Sequence, residues 1–316
     1  MSLRRYVAKR LLVTIPVLLI VTLVTFMMSH LLPGDPVAYM TQFSEIDDET
    51  VQQLRAQYNL NEPIWKQYVL WLGDAIQLEF GQSIISERNV TEEILSRLPY
   101  TVLLGVMSLG VALIISIPTG IIAAYKKGEL ADEVSRVFAL LGVSLPNFWL
   151  GLILILIFSV RLGLFPVLPP TSYPLLSYNM IMFTLLPAVT IGTASSALLM
   201  RLMRSSMVEE LNKDYVTMAR AKGLPERTVV IKHVVRNSMI AVVTVAALQI
   251  AFIVNGAVVI EQVFSYPGIG RLLLNAVSQR DFPIIQATVL MIGVTIVFAN
   301  LVADIAYAWL DPRIRY

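Results

Sequence analysis

The 316-residue chain contains no cysteine and only two histidines, His30 and His233. The absence of cysteine excludes disulfide bridges and metal sites built on thiolates, and neither histidine has a partner at metal-ligand spacing. Charged residues are also scarce, at 15% of the chain, whereas soluble proteins average about 25%. Hydrophobic residues make up 56%, and the mean hydropathy is +0.71. This composition predicts an integral membrane protein.

The motifs of nucleotide and hydrolytic chemistry are missing as well. The dipeptide Gly-Lys never occurs, so the chain has no phosphate-binding loop of the G-x-x-x-x-G-K-[ST] type. Neither H-E-x-x-H nor G-x-S-x-G is present, and we predict no catalytic residue, no bound cofactor and no metal. A net charge of +2 gives no indication of nucleic acid binding.

Six continuously apolar stretches are long enough to cross about 30 Å of hydrocarbon as helices. Because lipid offers the backbone no hydrogen-bond partners, such runs are predicted to be helical. The expected fold is therefore an all-α polytopic membrane protein with six transmembrane helices. The stretches cover residues 11–32, 100–125, 137–160, 180–200, 238–260 and 284–310.

The basic residues are unevenly distributed between the two sides of these spans. With the N-terminus inside, 17 of the 24 Lys and Arg residues fall on inner segments, which predicts that both termini are cytoplasmic. The first span lacks a following A-x-A site, which favours an uncleaved anchor over a signal peptide. The predicted organisation is a cytoplasmic N-terminus (1–10), a first span (11–32), an extracytoplasmic segment with short helices (33–99) and a core (100–316).

The extracytoplasmic segment carries two helical patterns. Ser44 and Asp47 indicate one helix start. An apolar stripe predicts a second helix after Pro63; its members are Ile64, Tyr68, Trp71, Leu72 and Ala75. Short helices at the membrane surface and a docking surface for an extracytoplasmic partner both fit this pattern.

The inner segment between the fourth and fifth spans (205–237) predicts two short amphipathic helices separated by a break at Gly223. The first would turn one apolar face inward, formed by Met207, Val208, Leu211, Tyr215 and Met218. The second would begin at Pro225 and do the same with Val229, Val230, His233 and Val234. Such a pair fits either a groove on a soluble partner or the lipid headgroups.

A few polar residues within the spans are candidates for function. Asp304, near the inner end of the sixth span, indicates either a proton relay or a carboxylate that is hydrated or paired with a basic neighbour, and its depth favours the second interpretation. Candidate residues of a polar pathway lie in or beside the fifth span; they are Gln249, Asn255, Gly256 and Gln262.

An ordered series of motifs runs along nearly the whole chain. Besides DYVTMARAKGLPERTVVIKHVVRN at 214–237, the series comprises LLPGDP at 31–36, YNLNEP at 58–63, LEFGQSI at 78–84, SLPNFW at 144–149, FSYPGIGR at 264–271, RDFPIIQA at 280–287 and the terminal DPRIRY. Together they resemble the permease subunits of binding-protein-dependent ABC importers. The resemblance is to the peptide branch, and within it to the subunit with the long first outer loop.

The resemblance implies a type I ABC importer permease fold in the plasma membrane of a bacterium or archaeon. It implies four kinds of partner: a second homologous permease subunit, two cytoplasmic ATPases that hold the ATP and Mg, an extracytoplasmic binding protein and the lipid bilayer. Residues 205–237 would be the coupling segment. Its expected contacts with an ATPase are Asp214, Tyr215, Ala219, Arg220, Ala221, Lys222 and Gly223.

One departure from the broader family concerns its E-A-A pattern, which precedes the glycine by three residues. Thr217, Met218 and Ala219 occupy these positions, so the family's glutamate contact does not transfer to Thr217.

The implied function is ATP-driven import of short peptides by alternating access. Subunits of the same branch move nickel complexes or glutathione, and no residue here decides between these cargoes. A stand-alone secondary transporter is disfavoured, because inverted repeats and buried charges are not evident. A membrane scaffold that recruits a cytoplasmic protein remains a further alternative.

Overall fold

The computed structural model describes residues 3–31, 52, 61–170 and 174–310. The predicted helix start at Ser44 and Asp47 and the terminal DPRIRY lie outside these residues. Within them, every regular element is a helix, apart from one isolated bridge between Gln82 and Asn89. The all-α prediction is confirmed.

Eleven α-helices follow one another in the described residues. They are α1 (Leu3–Leu31), α2 (Ile64–Ile76), α3 (Val90–Tyr125), α4 (Leu130–Ser144), α5 (Asn147–Leu154), α6 (Tyr178–Leu211), α7 (Asp214–Ala221), α8 (Glu226–Thr228), α9 (Arg236–Val263), α10 (Ile269–Gln279) and α11 (Phe282–Leu310). Two π-helical stretches continue α5 and α8, at Ile155–Arg161 and Val229–Val235. Five continuous segments, in α1, α3, α6, α8–α9 and α11, are long and apolar enough to cross a membrane.

The third predicted span is a broken one. The helices on either side of residues 145–146 meet at an angle of 101°. Leu145 is extended, with φ −82° and ψ 130°, because a proline ring crowds the residue before it, and Pro146 has no N–H with which to continue the helix. The predicted third span over 137–160 is therefore not one continuous helix, and the described helices give five spans, or six if the bent pair counts as one.

Caps fix where the long helices begin. The Asn89 side chain accepts hydrogen bonds from the backbone N–H groups of Thr91 and Glu92, at 2.9 and 3.3 Å. This cap starts α3 at Val90, ten residues before the predicted span and within the stretch expected to be extracytoplasmic. Ser177 caps α6 in the same way through Met180 N.

Close contacts at glycines show how the helices run. A Cβ added to Gly120 of α3 would lie 2.7 Å from Met203 Cβ of α6, and one added to Gly192 of α6 would lie 2.7 Å from Ser108 O of α3. Hence α3 and α6 are parallel and packed backbone to backbone over several turns. The ends at which they finish are the ends that the basic residues predict to be cytoplasmic, and they are called the inner end below.

The first and last helices are antiparallel neighbours. Gly293 of α11 packs on Val21 of α1, and the Arg10 guanidinium lies 3.1 Å from the Asp304 carboxylate at the inner end. Asp304 is thus paired with a basic neighbour, which is one of the two forms that its depth favoured.

The predicted extracytoplasmic stripe forms α2, which packs on the outer part of α1. Tyr68 and Trp71 of α2 both contact the Phe26 ring, at centroid distances of 5.4 and 5.6 Å. The Tyr68 hydroxyl is 2.9 Å from the Thr22 hydroxyl. These contacts confirm the helix and fix it beside the first span.

Candidate functional site

The coupling segment differs from the two free-standing helices predicted for it. Its first part belongs to α6, which continues to Leu211 and ends at the cap residue Asn212. The short helix α7 follows, and Gly223 then adopts φ +77°, the left-handed conformation expected of a C-cap glycine. The second predicted helix runs without interruption through the π-helical stretch into α9. The prediction was therefore right about the glycine break and wrong about the outer limits of both helices.

The break before α7 changes which residues are buried. Val216 and Ala219 face inward, whereas Met218, predicted to be inward, has 61% of its surface exposed. Because the chain leaves helical geometry at residues 212–213, α7 does not continue the angular phase of α6. A single helical pattern drawn across Met207 and Met218 therefore assigns Met218 to the wrong face.

An apolar cluster attaches the coupling segment to the transmembrane helices. Val216 and Ala219 of α7 pack with Val229, Val230 and Val234 of the following helix. The same cluster includes residues from the inner ends of α3 and α6, namely Ala124, Met203 and Met207. Most of these side chains are completely buried. A displacement of α7 must therefore move α3, α6 and α9 as well.

Hydrogen bonds reinforce this attachment at the N-terminal end of α7. The Tyr215 hydroxyl donates to the Glu210 carboxylate and accepts from Asn237 Nδ2 at 3.1 Å. Burial, followed by the bond to Glu210, raises the pKa of Tyr215. The phenol consequently stays protonated and remains a donor. Lys213 Nζ lies 2.5 Å from Glu210 and 3.5 Å from Glu209, and the bond to Glu210 raises the pKa of Lys213.

The remaining predicted contacts are on the opposite, solvent-facing side. The Arg220 guanidinium donates two hydrogen bonds to the Glu226 carboxylate, at 2.7 and 3.1 Å, across the turn at Gly223. This bond raises the pKa of Arg220. The exposed set comprises Asp214, Arg220, Ala221, Lys222 and Gly223. The predicted residues thus divide: Tyr215 and Ala219 hold the segment in place, and the other five are accessible.

Two apolar residues of this exposed surface were not predicted. Met218 and Leu224 are exposed on either side of Gly223, beside the Arg220–Glu226 pair. Exposed apolar side chains next to a salt bridge are typical of a protein interface. We call Met218, Arg220, Lys222, Gly223 and Leu224 the apex of the coupling segment.

The two candidate pathway residues whose side chains are described, Gln249 and Gln262, are not brought together. Gln249 is buried between α9 and α6, where its Nε2 donates to Ser195 O at 3.2 Å. Gln262 is exposed near the outer end of α9. Asn255 and Gly256 lie in α9, but the described side chains do not include theirs.

A cleft at the inner end of α9 was not predicted. It combines basic and apolar walls, lined by Lys232, His233, Arg236, Asn237, Met239, Ile240 and Val243. The signal was present as a basic stretch immediately before an apolar run.

At the outer end, the motif FSYPGIGR folds around a buried carboxylate. Glu261 is fully buried and accepts hydrogen bonds from Thr101 Oγ1 at 2.7 Å and from Arg271 N at 3.0 Å. Thr101 Oγ1 in turn accepts from Ile269 N at 2.9 Å. A Cβ at Gly268 would lie 2.1 Å from Glu261 Oε1, so only glycine leaves room for the carboxylate.

A buried tyrosine extends these contacts to a fourth helix. The Tyr266 hydroxyl donates to Tyr100 O at 3.1 Å, lies 3.2 Å from the Thr184 hydroxyl of α6, and its ring stacks on Phe183. We call Thr101, Glu261, Tyr266, Ile269 and Arg271 the outer polar cluster. It joins α3, α6, α9 and α10. Glu261 was not predicted, although an acidic residue at the end of an apolar run and shortly before Gly-Ile-Gly was a usable signal.

A second buried carboxylate joins two of the motifs. Asp281, between α10 and α11, accepts from Ser83 Oγ at 2.5 Å and from Ile84 N at 3.3 Å. The stretch LEFGQSI is thereby fixed to RDFPIIQA, although about 200 residues separate them.

Comparisons with known families cover nearly the whole chain. Residues 3–105 match the N-terminal region of binding-protein-dependent transport system membrane components. Residues 116–316 match the family described as binding-protein-dependent transport system inner membrane component. The chain belongs to this family.

Individual relatives of this chain support the same family assignment. The glutathione transport system permease protein GsiC of Escherichia coli strain K12 is 41% identical over 311 residues, which are 98% of this chain and 99% of GsiC. GsiC of Shigella dysenteriae serotype 1 gives the same values. A solved structure, that of an amino acid ABC transporter with histidines, is similar in fold, with a TM-score of 0.53 and 11% identity. It covers 69% of this chain and 94% of its own.

These findings confirm the resemblance on which the fold prediction rested. The chain is a permease subunit of a binding-protein-dependent ABC importer and a multi-pass protein of the inner membrane. Its relatives are permeases too.

Proposed function

We propose that this permease subunit forms part of a pathway for short peptides, glutathione among them, and that partner ATPases drive the transport. The observation that supports coupling to a partner is the construction of the coupling segment. Its apex is exposed, while its other face is packed on the inner ends of α3, α6 and α9. A force applied to the apex would therefore reach the membrane helices.

In the proposed cycle, ATP and Mg bind to two cytoplasmic ATPases and not to this chain. Closure of the ATPase pair would push the apex, and α3, α6 and α9 would move together because the apolar cluster joins them. A second permease subunit would complete the pathway and undergo the matching movement. The cavity would alternate between the outer side, where a binding protein delivers cargo, and the cytoplasm.

The orientation in this proposal follows the basic residues, with both termini cytoplasmic. The inner surface then carries the exposed Arg220 and Lys222, and the outer surface carries α2 and α10. The pathway candidates remain Gln249, Asn255, Gly256 and Gln262, whose amides could bond a peptide backbone without a charged site.

Two observations support peptide cargo. The sequence motifs of this chain resemble those of the peptide branch. The relatives at 41% identity are glutathione transport permeases, and glutathione is itself a short peptide. Nickel complexes are the alternative cargo within the same machinery.

The test is reconstitution of the permease pair with its ATPases and binding protein in vesicles. Uptake of labelled glutathione, a dipeptide and a nickel complex would be measured with ATP, without ATP, and with ATPases whose Walker A lysine is replaced. We expect peptide uptake only with ATP and active ATPases. Uptake by the permease alone would indicate a secondary transporter, and uptake of the nickel complex alone would overturn the peptide assignment.

A further inference from the structure

A buried ion pair connects α4 to α6 near the inner end of the bundle. Asp132, with only 1% of its side chain exposed, accepts from Arg204 Nε at 2.7 Å and from Arg204 Nη2 at 2.8 Å. Gly128 N donates to the same carboxylate at 3.0 Å, and Arg136 Nε lies 3.6 Å away. The two-pronged geometry fixes the angle between the partners as well as their distance.

The position of this pair relates it to the coupling segment. Arg204 lies in α6 about two helical turns before Leu211, where α6 ends and the coupling segment leaves it. Asp132 lies in the first turn of α4, which begins the broken third span. The pair therefore joins the helix that carries the coupling segment to a span that the apolar cluster around α7 does not include.

Further along, the described contacts between α4 and α6 include small residues packed closely together. A Cβ at Gly142 would lie 3.4 Å from Thr193 O, and Ala139 packs with Ala197 and Met200. Smooth contacts of this kind bring two helices close but leave them able to slide, because they contain no directional bond. The ion pair adds directional bonds at the inner end, and removal of Arg204 would leave the buried Asp132 carboxylate with only Gly128 N and the more distant Arg136 as partners.

We propose that Asp132 and Arg204 are positioning residues that transmit the movement of the coupling segment to the third span. While the pair is closed, the inner end of α4 moves with α6 as one body. When the pair is broken, α6 moves with the coupling segment and α4 lags behind. The inference rests on the proposed function, and the experiment below separates the two.

The experiment uses the fully assembled importer and takes advantage of the cysteine-free chain. Spin labels at Val134→Cys in α4 and Arg201→Cys in α6, both exposed positions, report the distance between the two helices with and without ATP. In the otherwise unchanged protein we expect one narrow distance that ATP does not alter. In Asp132→Asn we expect a broad distribution that shifts with ATP. Peptide uptake per ATP hydrolysed should fall at least tenfold, while ATP hydrolysis stays within about twofold.

A matched control lies at the next position. Glu133 is 65% exposed and bonds Arg136 at 2.8 Å, so Glu133→Gln removes a neighbouring carboxylate without touching Arg204. We expect its label distances and its uptake per ATP to remain unchanged. If Glu133→Gln lowered peptide uptake per ATP as much as Asp132→Asn does, removal of any charge in this turn would be enough to impair transport. That result would overturn the proposal.

Arg204→Lys tests the same ion pair if the Asp132→Asn importer does not assemble. It keeps the charge but not the two-pronged geometry, so we expect a stable complex with an intermediate loss of uptake per ATP. The proposal would be overturned if the variant that assembles showed unchanged label distances and unchanged peptide uptake per ATP hydrolysed. If the unmodified importer moves no peptide, the proposed function fails. The label distances need only ATP and the ATPases, so they still test whether the Asp132–Arg204 pair makes α4 move with α6.

Discussion

The outer polar cluster and the apex of the coupling segment are both built from charged and glycine-containing motifs, but they use them in opposite ways. At the outer end, the Glu261 carboxylate is fully buried, and its hydrogen bonds are made within the chain. At the inner end, Arg220 and Lys222 are exposed, and Gly223 has open space where a side chain would lie. The first region therefore holds this subunit together, while the second is available to another protein.

The backbone shows the same contrast. Ser265, in the motif of the outer cluster, and Arg280, which precedes the buried Asp281, are non-glycine residues with φ values of +53° and +58°. Such conformations persist where surrounding contacts determine them, and the buried bonds of Glu261 and Asp281 supply these contacts. The apex uses glycine for its left-handed turn and carries no such strain.

The largest expected effect is on stability, at the outer end. Glu261→Ala leaves the donors Thr101 Oγ1 and Arg271 N buried without an acceptor and also opens a cavity, so we expect a loss of about 3 kcal/mol. Unfolding in mixed micelles of increasing SDS fraction would measure it. The control is Glu79→Ala, an exposed acidic residue near the same surface. Equal stability of the two variants would contradict the structural role of Glu261.

The next effect is on transport, at the apex. Arg220→Glu reverses an exposed charge, so stability should change by only about 0.5 kcal/mol. Uptake should fall at least tenfold, because reversal of a charge at a partner interface is costly. The comparison is Arg88→Glu, which reverses a more exposed charge at the outer end. An Arg220→Glu importer with unchanged uptake would remove the apex from the coupling mechanism.

The smallest effect concerns the backbone of the apex. Gly223→Ala introduces a Cβ into open space but at φ +77°, and we expect a stability loss of about 1 kcal/mol from the conformation alone. Gly73→Ala is the matched control, since Gly73 also has open space but lies within the helix α2, where alanine is favoured. If both variants were equally stable, the left-handed turn would not constrain the apex.

Much of the fold followed from residue patterns, because continuous apolar runs and the distribution of Lys and Arg report directly on the solvent around each segment. The helix α2 and the turn at Gly223 were predicted from local signals alone. A kink at Pro146 was expected as one possibility from its missing backbone donor. A full break of 101° was not predicted, because the apolar run continues across it.

The functional residues were predicted less completely, for physical reasons. Met218 was placed on the wrong face because the break at residues 212–213 resets the helical phase. The Asp132–Arg204 pair and the Glu261–Thr101 bond join residues 72 and 160 positions apart. Neither pairing is visible in a pattern that reports only neighbours along the chain.

The central claim is that the apex of the coupling segment contacts a partner ATPase. A photoreactive benzoylphenylalanine at Met218, which is exposed and replaceable by a large apolar side chain, tests it in the assembled importer. The comparison site is Val259, equally apolar and 51% exposed, toward the outer end of α9. We predict a light-dependent adduct between this chain and the ATPase from position 218 and none from position 259. An importer that hydrolyses ATP but forms no ATPase adduct at position 218 would contradict the claim.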